Sequence, residues 1–239
     1  MRQALILLGM LGVLPSQASA FDARITVTAI NATRTTYGSG PISDEIRGEL
    51  GFNTGTATAA IDETGVRATA EFHAEDRDQL AWVGSEGVFD NYLTIVPRQG
   101  FTGTHASVEF PITVEGSMIV SCRSQADVCG SSIWVRAYMN VGLLEDFSVS
   151  QVFNGNNGEG CTDPDDPWRC LSLLSTGTLQ GSLPVNRRLR VHGVLAVEAA
   201  GIANSQFVDG GGQSSFWYAG FSNDEVDIIW DLTPTAPPP

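Results

Sequence analysis

The stretch Ile133-Trp134-Val135-Arg136-Ala137-Tyr138-Met139-Asn140-Val141 alternates apolar and polar side chains without a break. Successive side chains of an extended chain point to opposite faces, so a period of two marks a strand with one face in a core. Ile133, Val135, Ala137, Met139 and Val141 make the apolar face; Trp134, Arg136, Tyr138 and Asn140 make the other. The pattern recurs along the chain. Arg24 to Ile30 reads as an opening strand. Val66, Ala68, Ala70 and Phe72 alternate with Arg67, Thr69, Glu71 and His73, and Val108, Phe110, Ile112 and Val114 with Ser107, Glu109, Pro111 and Thr113. Tyr92 to Val96 is a short strand ending at Pro97. Leu189, Val191, Leu195 and Val197 form one face of a later strand, and Val226, Ile228, Trp230 and Leu232 close the series. Clusters of Gly, Asn, Ser and Asp at Tyr37 to Pro41, Asn154 to Gly160 and Asp209 to Gly212 read as turns. No long window carries a 3.6-residue period with capping signals; Asp76 to Val83 reads as a short helix or a loop. The fold class is all-β: an antiparallel β-sandwich, jelly-roll-like, of about ten strands.

Composition narrows the function. The 239 residues carry 13 basic and 27 acidic side chains, a formal charge of −14, and every basic residue is arginine. Such a chain is a poor nucleic-acid binder, since phosphate recognition needs clustered cations, and anionic membrane surfaces repel it. At 42% hydrophobic residues it has ample material for a core and is not a disordered type. No internal repeat or linker is visible, so Phe21 to Leu232 reads as a single domain, with a break near Cys122 as the alternative.

The N-terminus reads as a secretory signal peptide over residues 1–20. Met1-Arg2-Gln3 is a short positive segment, Ala4 to Leu14 an apolar run too short to span a bilayer, and Ala18-Ser19-Ala20 a small-x-small cleavage signal. The mature chain is expected to start at Phe21, with no later membrane span, and to be secreted or held at the cell surface, in the periplasm or outside. Residues 233–239, Thr-Pro-Thr-Ala-Pro-Pro-Pro, read as an extended Pro-rich tail. Export suits the four cysteines. Cys122 with Cys129 and Cys161 with Cys170 are expected to be local disulfides, each bracketing a polar turn. A zinc site is the rival reading, with spacings unlike a zinc knuckle.

Two segments carry a resemblance. Phe89-Asp90-Asn91-Tyr92-Leu93-Thr94-Ile95-Val96 precedes Gly100-Phe101-Thr102-Gly103 and Val108-Glu109-Phe110-Pro111-Ile112-Thr113-Val114-Glu115-Gly116-Ser117. Leu183-Pro184-Val185, Leu195 to Ala200 and Ala219-Gly220-Phe221-Ser222-Asn223 follow. Together they resemble exported bacterial β-sandwich proteins of the PEP-CTERM and VPLPA-CTERM type, over about half of the mature chain. The likeness lies in strands and turns rather than catalytic residues. It implies an exported bacterial protein linked to the cell surface or an extracellular matrix, and no defined reaction. The sequence stops at Ala236-Pro237-Pro238-Pro239 without that family's sorting tail.

Enzyme motifs are scarce. There is no G-x-S-x-G elbow, P-loop or dinucleotide fingerprint. His73, His105 and His192 all fall on polar faces and form no local metal pair. Glu71, Glu75 and Asp76, or Asp224 and Asp227, offer carboxylates for glycoside hydrolysis, but solvated acidic strand edges are the simpler reading. The more informative constellation is Trp134, Arg136, Tyr138 and Asn140: side chains two apart on a strand lie about 7 Å apart on one face. Stacking aromatics flanked by hydrogen-bonding groups suit a sugar ring. The alternative is a strand buried on both faces, with Trp134 in the core. The loop carrying Glu159, Asp163, Asp165 and Asp166 offers oxygens for calcium, which takes about six to eight, although its spacing is not that of an EF-hand; otherwise no cofactor is expected.

The sequence therefore points to an exported, non-enzymatic protein that binds extracellular polysaccharide or contributes to a surface matrix. A secreted glycan hydrolase and a purely structural surface subunit are the alternatives.

Overall fold

The computed structural model describes residues 21–75, 79–121, 131–154, 159–160, 168–203 and 208–234, with the backbone alone at 159–160 and 168–169. Among them run fourteen strands and no helix. They are β1 (Asp22–Ala29), β2 (Ala32–Ser39), β3 (Ile42–Leu50), β4 (Asn53–Asp62), β5 (Gly65–Ala74), β6 (Ala81–Pro97) and β7 (His105–Ser121). There follow β8 (Ser131–Val141), β9 (Phe147–Asn154), β10 (Glu159–Gly160), β11 (Trp168–Pro184), β12 (Arg188–Gly201), β13 (Val208–Tyr218) and β14 (Val226–Trp230).

They form two sheets in which every described pairing is antiparallel. The first has the order β2-β1-β6-β12-β8-β9, with β14 also beside β6; the second has the order β10-β11-β7-β13-β5-β4-β3. The long strands β6, β7, β8 and then β11, β12, β13 change sheet at each step, so the chain weaves both sheets around one core.

The inner faces meet because the alternation is sustained. In β8, Ile133, Val135, Ala137, Met139 and Val141 are buried, and in β7 Val108, Phe110, Ile112, Val114, Met118 and Val120. Burying an aliphatic or aromatic side chain contributes about 1.5–3 kcal/mol each. Phe89 of the first sheet stacks on Tyr218 of the second, ring centroids 5.0 Å apart and nearly parallel at 9°.

Three sequence expectations need correction. The strands number fourteen rather than about ten, because β2 is polar and Thr-rich, β3 is interrupted by charged residues, and the inward side of β4 is mostly Asn, Gly and Ala and gives little apolar signal. Asp209 to Gly212 is not a turn but lies within the central strand β13. Gly212 makes room for the opposite sheet: a methyl group there would lie 2.7 Å from Ile133 Cγ2 and 3.1 Å from Val197 Cγ1. Of the stretch Asp76 to Val83, which reads as a short helix or a loop, residues 79–80 are a loop and Ala81 already begins the long β6, of which the sequence signals only Tyr92 to Val96 as strand. Small inward residues Ala81, Ser85 and Gly87 hide that strand's alternation.

Candidate functional site

The outer face of the first sheet is where the polar side of β8 falls. Trp134, Tyr138 and Asn140 are half-buried there and Arg136 is exposed, opposite the fully buried inner row. Trp134 is thus outside the core. Strand register adds what lies around it. Glu198 of β12 sits directly opposite Trp134, Gly84 of β6 opposite Glu198 on the far side, and Val152 of β9 opposite Trp134 at the edge.

Gly84 leaves a gap that a tryptophan fills. The Trp82 indole lies over it, so that a methyl group at Gly84 would touch Trp82 Cζ2 and Glu198 Cγ, each at 3.5 Å. Trp82 is 37% exposed and belongs to the same outer face. Two strand spacings separate Gly84 from Trp134, about 10 Å. The result is an outer-face row of Gly84, covered by the Trp82 indole, then Glu198, then Trp134. Trp82 carries no strand signal in the sequence, because the small inward residues Ala81, Ser85 and Gly87 hide the alternation of β6 there.

Arg24, Arg136, Arg188 and Arg190 on this face are each paired with a carboxylate. Arg136 forms a close ion pair with Glu198. Arg24 pairs with Glu86 at 2.8 Å, and Arg188 with Asp231 at 2.7 Å while covering the Tyr92 ring at 3.7 Å. Arg190 Nη2 donates to Asp90 Oδ2 at 2.9 Å, and His192 Nδ1 lies 2.9 Å from Asp90 Oδ1. Partial burial pushes the Asp90 carboxyl up, but hydrogen bonds from Arg190 and His192 outweigh it and hold the group below the ordinary carboxylate range. Asn140 Nδ2 donates to Asp146 Oδ1 at 2.7 Å. Desolvation and then the hydrogen bond to Asp146 push the Tyr138 phenol above its usual range, and the His192 ring meets Tyr138 edge-on at 6.0 Å. The polar groups beside Tyr138 and Tyr92 are therefore held by partners within the protein.

The second sheet carries a shallow trough of about 400 Å³ on its outer face, lined by Glu71, Ile119, Asp209, Gly211 and Gln213. At its end His73 Nδ1 lies 2.5 Å from Asp209 Oδ1, with Glu75 at 3.7 Å from Nε2. Both ring nitrogens face carboxylates. Asp227 is held by Arg98 at 2.7 Å, and His105 is on the outer face of β7 beside Thr104 at 3.1 Å.

Asp163, Asp165 and Asp166 lie outside the described residues, as do Asp76, Cys122, Cys129 and Cys161, residues 1–20 and residues 235–239. Only the backbone of Glu159 is described, paired with Cys170 at the edge of the second sheet. Cys170 is not a free thiol. Among the described residues no cluster of His, Cys, Asp and Glu is arranged to hold a metal ion, and no helix is long and apolar enough to cross a membrane.

The chain is a two-sheet antiparallel sandwich with a polar-aromatic outer face. No protein-family model matches it, and no curated protein does. Among solved structures it is similar to the infectious bursal disease virus VP2 subviral particle, at 12% identity over 83% of this chain and 65% of that one, with a TM-score of 0.14. The infectious bursal disease virus Gx strain structure gives 10% identity, 88% and 67% coverage and the same TM-score of 0.14. The chain spans less than two thirds of the first of these. A likeness at that score carries nothing about function.

Proposed function

We propose that this is an exported, non-enzymatic β-sandwich protein that binds extracellular polysaccharide through the outer face of its first sheet, and so contributes to a cell-surface matrix. The observation that supports this best is the row of Trp82, Glu198 and Trp134. Two tryptophans on one face, with the Gly84 and Trp134 strand positions about 10 Å apart, offer stacking surfaces for successive parts of a glycan, and the Glu198–Arg136 pair on the same face offers hydrogen bonds to hydroxyls. Each arginine on the face is offset by a carboxylate. The surface thus presents polar groups without a net positive field, which favours a neutral polymer over an anionic one.

Export by the residue 1–20 signal, the Cys122–Cys129 and Cys161–Cys170 disulfides, the jelly-roll connectivity and kinship with the PEP-CTERM and VPLPA-CTERM type belong to the same proposal. A calcium ion in the 159–166 loop does too; a thermal midpoint equal with calcium and with chelator would remove it.

The test is retention on insoluble polysaccharides of different linkage. Trp134→Ala and Trp82→Ala are expected to fold and to be retained less. Equal retention of all three proteins on every polymer would remove the reading. The hydrolase reading draws on one observation, the His73–Asp209 pair beside the trough of the second sheet. Reducing-sugar release that vanishes in His73→Ala would favour it.

A further inference from the structure

The outer face of the second sheet differs from that of the first in its charge. Its arginines on β5 and β3 are held by carboxylates, Arg67 by Asp62 and Arg47 by Glu45 at 2.9 Å. Two exposed carboxylates remain, Glu71 of β5 and Glu115 of β7. Among the described residues no cation pairs with either.

Both lean on β13, the strand between them, whose outward residues here are Gly211, Gln213 and Ser215. Glu71 is the register partner of Gly211, and its stem lies beside the bare backbone there: a methyl group at Gly211 would lie 2.9 Å from Glu71 Cγ. Glu115 is the register partner of Ser215 from the other side, and Ser215 Oγ donates to Glu115 Oε1 at 3.2 Å. Positions 211 and 215 are four residues apart along an extended strand, about 13 Å.

Two depressions meet between these positions. The trough of about 400 Å³ lies over Gly211, and a second of about 560 Å³ lies over Ser215; they share Ser117 and Gln213. The ground where they join is uncharged and rich in donors and acceptors. Gln213 Nε2 donates to Ser117 Oγ at 3.1 Å, and the Thr69 and Thr58 hydroxyls share a hydrogen bond at 2.6 Å. Strands β5, β13 and β7 are described along the whole of this stretch.

A carboxylate at each end, with hydroxyls and an amide between, defines the occupant. An anionic polymer is repelled, and a neutral one leaves both carboxylates unmet. A basic peptide meets the carboxylates, but its own backbone N–H and C=O groups find no ladder on a sheet face, where the main chain is already paired. A polymer of amino sugars carries no such unmatched groups. Its hydroxyls suit Gln213, Ser117 and Thr69, and its ammonium groups suit Glu71 and Glu115.

We propose that the outer face of the second sheet is a binding site for an amino-sugar polysaccharide with free amines, laid along β13 with one ammonium group at Glu71 and another at Glu115. The proposal does not rest on the tryptophan face of the first sheet. It gives the molecule a second, cation-selective face behind the neutral one.

Calorimetric titration of the full chain tests it, with soluble glucosamine oligomers and with the same oligomers N-acetylated, in low-salt buffer acidic enough to keep the amines protonated. The glucosamine oligomer is expected to bind, and to bind more weakly as salt is added. Glu71→Gln and Glu115→Gln keep the shape of these exposed side chains. Each should lower that affinity by about threefold, the loss of an exposed ion pair, and the two together by about tenfold, since distant sites add. Neither should change the affinity for the N-acetylated oligomer. Absence of glucosamine binding, or binding that the double substitution leaves intact, overturns the proposal. So does an equal loss for both oligomers, which would make the amine irrelevant, or tighter binding of an oligoarginine of equal charge, which would make this a peptide site.

Discussion

Asn91 and Tyr218 join the two sheets by a hydrogen bond inside the core: Asn91 Nδ2 donates to Tyr218 Oη at 3.1 Å. The same amide nitrogen donates to the Leu232 carbonyl at 2.7 Å, while Asn91 Oδ1 accepts from the backbone N–H groups of Tyr92 at 2.8 Å and Leu232 at 3.2 Å. One buried side chain thus fixes β6 to β13 and secures the chain just beyond β14. Burial drives the Tyr218 phenol far above its usual range, with the Asn91 hydrogen bond a smaller opposing effect, so the hydroxyl stays protonated.

Removing either partner separates these roles. Tyr218→Phe should cost about 1 kcal/mol, the net value of one neutral hydrogen bond. Asn91→Ala leaves the Leu232 backbone and the tyrosine hydroxyl without their partner and should cost about 2–4 kcal/mol. Urea unfolding measures both. A smaller loss for Asn91→Ala than for Tyr218→Phe would contradict the account.

Asp90 links the outer face to pH. Its carboxyl is held below the ordinary range in the folded chain, so the stability it contributes is present above the unfolded value, about 3.9, and is lost as pH falls through the lower folded value. Asp90→Asn should therefore be less stable than wild type near neutrality, by about 0.5–1 kcal/mol for a partly exposed pair. The gap should close below about pH 4. A difference that stays constant down to the acid transition would show that the charge of Asp90 is not the cause.

The four cysteines give a chemical check. With Cys122–Cys129 and Cys161–Cys170 closed, the folded chain should take up no alkylating reagent until a reductant is added. Each loop should then contribute roughly 2–3 kcal/mol in the entropic picture. Alkylation of all four thiols in native, unreduced protein would overturn the pairing.

Gly212 shows both what the sequence reveals and what it hides. The amphipathic strands were legible because one face of each is apolar: β8 alternates with no exception, and β5, β7 and β12 follow it closely. The glycine run was not, because glycine in isolation signals a turn and only the facing Ile133 and Val197 explain it as strand. For the same reason the four residues on the polar face of β8 could be placed on one face from sequence, while Trp82 and Glu198 needed the register of three neighbouring strands. Gly212→Ala should cost about 1–3 kcal/mol by overpacking, measured by thermal or urea unfolding. A neutral result would mean the sheets separate more easily than their packing implies.

The central claim is that Trp82 and Trp134 act together on one glycan chain. Calorimetric titration with neutral oligosaccharides of increasing length tests it most directly. Affinity should rise with length until the ligand reaches both tryptophans, whose strand positions lie about 10 Å apart across the sheet. Each of Trp82→Ala and Trp134→Ala should lower the affinity of the long ligands by about fivefold or more, one stacked ring contributing around 1 kcal/mol, and should flatten the dependence on length. An affinity that is independent of length in the wild type, or unchanged when both tryptophans are replaced in a folded protein, would contradict the account.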